Sequence, residues 1–141
     1  MTMFFEDTGE FWMLHGSVIA RHPGQLLLSD RLMLGQWSRM LRNAMAVMDR
    51  FQAQKIRRVE VGLFGVKDLQ WFSNWQGDRT PSRRNDTREA RQNADWSPEA
   101  QLTFLTNAYN RVRNLFALER STEAEVTRIL QQFEHGTSIS C

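Results

Sequence analysis

Apolar residues recur along this chain at two different spacings, and the change between them predicts its elements. Phe11 to Ala20 is rich in aromatic and β-branched residues and reads as a strand. His22-Pro23-Gly24-Gln25 follows, with proline and glycine at the second and third positions of a type II turn. Leu26-Leu27-Leu28 supplies a short return strand, so residues 11–28 predict a hairpin. From Leu32 to Phe51 the apolar residues, among them Met33, Trp37, Met40, Ala44 and Met48, fall three or four apart. That is the stripe of an amphipathic helix, with Ser29 or Asp30 to cap it. Val59 to Val66 alternates again, with Val59, Val61 and Leu63 on one face, and predicts another strand. Lys67 to Trp75 suggests one or two helical turns rich in aromatic residues.

The pattern then stops. Gln76 to Asp95 holds only Ala90 and Ala94 as apolar side chains. Such a stretch buries too little surface to offset the entropy of ordering it, which predicts a flexible, arginine-rich loop over 76–95. Periodicity resumes at Ser97-Pro98-Glu99, a cap, a proline at the first helical position and an acid in the first turn. Leu102, Leu105, Tyr109, Val112 and Phe116 give that helix its apolar face. Thr122 and Glu125 form a capping box for a last helix that buries Val126, Ile129, Leu130 and Phe133 and ends near Gly136. The tail over 137–141 should be loose. The sum is one α+β domain over 1–141: a small antiparallel sheet, a hairpin plus one strand, with three to four helices on one face.

Composition changes this picture little. The chain has 141 residues, 41% hydrophobic and 24% charged, ordinary values for a globular protein. No apolar run approaches the ~20 residues of a membrane helix, and the acidic start, Met-Thr-Met-Phe-Phe-Glu-Asp, is unlike a signal peptide. A cytoplasmic protein with no membrane partner is the expectation. Charge is uneven. Residues 31–91 carry eleven Arg and two Lys against six acids, a net of +7, between ends of net −3 and −2. A basic middle between acidic ends suits either self-complementary ends or an anionic partner.

Catalytic and metal-binding constellations are thin. His15, His22 and His135 are the only histidines, and none stands in a metal-ligand spacing. The single cysteine, Cys141, lacks a catalytic context, and the chain has neither a phosphate-binding loop nor a nucleophile elbow. The expectation is therefore no enzyme and no cofactor.

One stretch resembles a known family. Ile56-Arg57-Arg58 and then Val59-Glu60-Val61-Gly62-Leu63-Phe64-Gly65-Val66-Lys67-Asp68-Leu69 follow the end of a helix. This is similar to the strand with Leu-Leu-Gly-Val that lies downstream of the DNA-binding module in Schlafen-type, AlbA-like ATP-binding proteins of bacteria. In that accessory region a strand pair, a helix, such a strand and closing helices recur in order. Phe11 to Ala20, the helix to Phe51, and Asn107 to Phe116 occupy the corresponding places. The resemblance spans residues 10–118 and is close over Val61 to Val66. The family's ATP- and nucleic-acid-binding residues belong to the AlbA-like module and carry over to no position here. What the resemblance implies is an accessory or regulatory domain beside nucleic-acid-directed or phage-defence machinery.

Two functions follow as expectations. One is a non-enzymatic module that docks to another protein or to itself, through Trp71, Phe72, Trp75 and the edge of the 11–28 hairpin. The other is nucleic-acid binding through Arg79, Arg83, Arg84, Arg88 and Arg91, with Trp75 or Trp96 stacking on bases.

Overall fold

Ser29 turns the chain from a strand into its longest helix. Its Oγ accepts the Leu32 N–H at 3.4 Å, and Asp30 sets a carboxylate at the positive end of the helix dipole. The computed structural model describes residues 1–5, 10–16, 18–51, 56–72 and 80–137. In chain order the elements are β1 (Thr2–Phe5), β2 (Glu10–Met13), β3 (Ile19–His22), β4 (Gln25–Leu28), α1 (Asp30–Arg50), β5 (Arg57–Phe64), β6 (Gln70–Trp71), β7 (Asp86–Asn93), α2 (Pro98–Leu115) and α3 (Glu123–Thr137). The class is α+β, with small, mainly antiparallel sheets packed against three helices among the described residues.

Among the described residues the strands form three separate sheets where the sequence predicts one. Phe11 to Ala20 is two strands rather than one. β2 pairs antiparallel with β1, and β3 pairs with β4. The turn between β3 and β4 has Gly24 at φ 77°, the left-handed position a type II turn reserves for glycine. Helical turns over Lys67 to Trp75 are also corrected, as far as the described residues reach. Asp68 takes φ 65°, and Gln70–Trp71 runs as a strand parallel to β4.

The largest correction falls on the expected loop over 76–95. Asp86–Asn93 is a strand, paired residue for residue with β5 from Arg57↔Asn93 to Phe64↔Asp86. Its ladder saturates backbone groups that a solvated loop leaves to water, and Glu89 forms an ion pair with Arg111 on α2. The approach to β7 is tied down too: the Asp68 N–H reaches Ser82 O at 2.9 Å and the Val66 N–H reaches Asn85 O at 3.0 Å. Residues 73–79 lie outside the described part, as do 138–141 of the expected loose tail.

The helix starts are as the sequence predicts. Ser97 Oγ accepts the Ala100 N–H ahead of α2. Thr122 Oγ1 accepts the Glu125 N–H, and Glu125 Oε2 accepts the Thr122 N–H at 2.9 Å, closing the capping box of α3. Among the described residues the core has two centres. Leu28, Leu34, Trp71, Tyr109 and Val126 pack in one, and Leu41, Val59, Val61, Trp96 and Phe104 in the other, with Trp37 and Leu130 touching both.

A candidate interaction groove beside an unpaired strand edge

Two of the residues expected to meet a partner, Trp71 and Trp96, are committed to the core. Trp71 is 4% exposed. Its ring packs on Tyr109 and Phe116, with the Arg113 guanidinium over it, so it is core and not interface. Trp96 is 9% exposed, lies edge-on to Phe104, and donates its Nε1–H to Arg57 O at 3.2 Å. It has no face to offer a base. Both corrections share one cause: a large aromatic ring buries much apolar surface, and each of these two fills one centre of the core. Phe72 stays exposed at the end of β6, with its N–H on Leu28 O. Trp75 and Arg79 lie outside the described residues.

The arginines do not converge either. Arg83 and Arg84 are exposed ahead of β7. Arg88 and Arg91 lie on β7 three residues apart, so the alternation of a strand sends them to opposite faces. Arg88 lies 3.7 Å from Glu60 across the sheet, and Arg58 is 3.1 Å from that same carboxylate. The edge of the expected hairpin, in contrast, does meet open space.

A groove of about 1120 Å³ runs between β2, one face of α1 and β5. The alternation of β5 builds its inner wall, with Val61 buried and Leu63 half-buried. Trp37, Met40 and Met48 reach it from the amphipathic face of α1. Around the rim stand Trp12, Leu14, Ile19, Ile56 and Phe64, all exposed, from 39% at Ile19 to 85% at Phe64. Among its lining residues Arg57, Arg58 and Arg88 are matched by Glu10, Glu60 and Asp86. Beside it, β5 pairs along one edge only; among the described residues no strand joins its other edge. An unpaired strand edge presents a row of free N–H and C=O groups.

Chemically the groove offers apolar burial and backbone hydrogen bonding. Among the described residues no group of three His, Cys, Asp or Glu side chains is placed to hold a metal. Nor is any helix long and apolar enough to cross a membrane. The sequence signal for Phe64 was present in the strand pattern, since it falls out of phase with Val59, Val61 and Leu63. Ile56 and Trp12 carried no such signal. No family model, curated protein or solved structure matches the chain, so the groove is read from its own geometry.

Proposed function

We propose that this chain is a non-enzymatic interaction module that receives a protein partner in the groove beside β5. The observation that carries this reading is the gathering of Trp12, Leu14, Ile19, Ile56 and Phe64, large and exposed, around one groove next to an unpaired strand edge. Contiguous exposed apolar surface marks interaction sites, and an open edge accepts an extended segment of another chain. The balanced charge of the groove favours a protein over a polyanion. The resemblance of Val61 to Val66 to the Schlafen-type accessory region supplies the setting: a cytoplasmic accessory or regulatory partner of nucleic-acid-directed or phage-defence machinery in a bacterium.

The test is a photo-crosslinking residue at Phe64, where exposure leaves the fold untouched, with the exposed Glu119 as control. Irradiation in the host should give discrete protein adducts from position 64 and few from 119. Equal labelling from both positions refutes the groove as an interface.

A second reading, nucleic-acid binding, draws on Phe64 and Arg88 lying at alternate register positions on the outer face of β5–β7. Here Phe64 replaces Trp96 as the stacking ring. Neutralising ~3–5 phosphates on a single strand gives a log–log salt slope of about −2 to −3.5. Binding insensitive to salt removes this reading.

A further inference from the structure

We infer that the occupant of the open β5 edge is β5 of a second copy of this chain, paired antiparallel about a two-fold axis through Val59. The inference rests on the interaction reading above and names its partner. β5 is eight residues long and contains none of the usual edge protection by proline. Its two charges on the outer face, Arg58 and Glu60, are of opposite sign and two residues apart.

Two-fold antiparallel pairing brings identical strands together, and directly opposed residues share a face. The axis must therefore pass at a residue, and charge selects which one. Centred on Val59, the pairing sets Arg58 against Glu60 of the other copy and Glu60 against its Arg58, so both exposed charges are matched twice. Centred on Glu60, it opposes two identical carboxylates. Centred on Val61, it sets Glu60 against Gly62 and leaves Arg58 opposite Phe64. Like charges directly opposed are destabilising and unlike charges favourable, so the first register prevails. On the inner face Val59 meets Val59, and the half-buried Trp37, Met40 and Met48 provide apolar ground beneath the added strand. The product is a continuous four-stranded sheet, β7–β5–β5–β7.

The experiment is sedimentation velocity under reducing conditions on the full chain, wild type and charge variants. Wild type should dimerise. Arg58→Glu and Glu60→Arg, each alone, place like charges opposite one another twice and should raise the dissociation constant at least tenfold. The double exchange Arg58→Glu/Glu60→Arg should restore the dimer. So should a one-to-one mixture of the two single variants, which pairs two acids with two arginines in both positions and also shows that each single variant is folded. A wild type that stays monomeric at 100 μM overturns the inference; if Phe64 still crosslinks a different protein, the interaction reading survives that outcome. A dimer that persists unchanged in both single variants overturns it as well.

Discussion

Tyr109 is the only tyrosine of the chain, and its phenol lies fully within the core. The hydroxyl donates to Asp30 Oδ2 at 3.1 Å and receives Arg113 Nη1 at 3.5 Å. Burial and then the negative charge of Asp30 push its pKa well above the ordinary value near 10, and the neighbouring Arg113 only partly offsets them. A group whose folded pKa is raised stabilises fully below the unfolded pKa. That contribution is lost as pH rises from about 10 toward the folded value, because only the unfolded chain then releases its proton. Tyrosinate absorbance at 295 nm should therefore grow only as the far-UV circular dichroism collapses. Tyr109→Phe should abolish that alkaline coupling, at a cost of about 0.5–1.5 kcal/mol near neutrality for the lost hydrogen bond. A phenol that titrates near pH 10 in a chain still folded contradicts this account. The hydrophobic pattern placed Tyr109 on an apolar helix face. Its hydroxyl partner, 79 positions away, is a product of packing.

Gly35 shows the same division for a whole helix. Within α1 a glycine is unfavourable by about 0.5–1 kcal/mol relative to alanine. A Cβ at this position, however, would come within 2.3 Å of the Phe133 ring on α3. Gly35→Ala should therefore destabilise by about 1–3 kcal/mol despite the better helix propensity, through overpacking of the α1–α3 contact. Pairing it with Phe133→Leu should recover part of the loss in thermal melts. Stability gained by Gly35→Ala alone contradicts the close approach. α1, α2 and α3 were legible because their apolar stripes, caps and capping box are local. β7 was not, because Thr87, Arg88, Glu89, Arg91 and Gln92 carry no apolar alternation. It becomes a strand only because β5 offers it a ladder and Arg111 a partner for Glu89.

Across the molecule, that strand changes what the arginine-rich segment does. Replacing Arg79 to Arg91 by Gly/Ser of equal length removes the side chains of six β7 residues, Asp86 to Arg91. Glycine within a strand costs ~0.5–1 kcal/mol per residue, so three glycines there should cost roughly 2 kcal/mol and lower the melting temperature by about 5–10 °C. Lost ladder and packing energy, unlike surface ion pairing, should persist at low and high salt alike. An unchanged melting temperature at both salt extremes shows that β7 contributes nothing to stability. The α+β class, the three helices and their starts, the turn at Pro23-Gly24 and the alternation of β5 follow from the amino-acid order, since capping, periodicity and turn chemistry act over a few residues. Which strands share a sheet, the burial of Trp71 and Trp96, and the open edge of β5 were settled by packing. These depend on contacts between residues far apart in the chain, which local pattern does not encode.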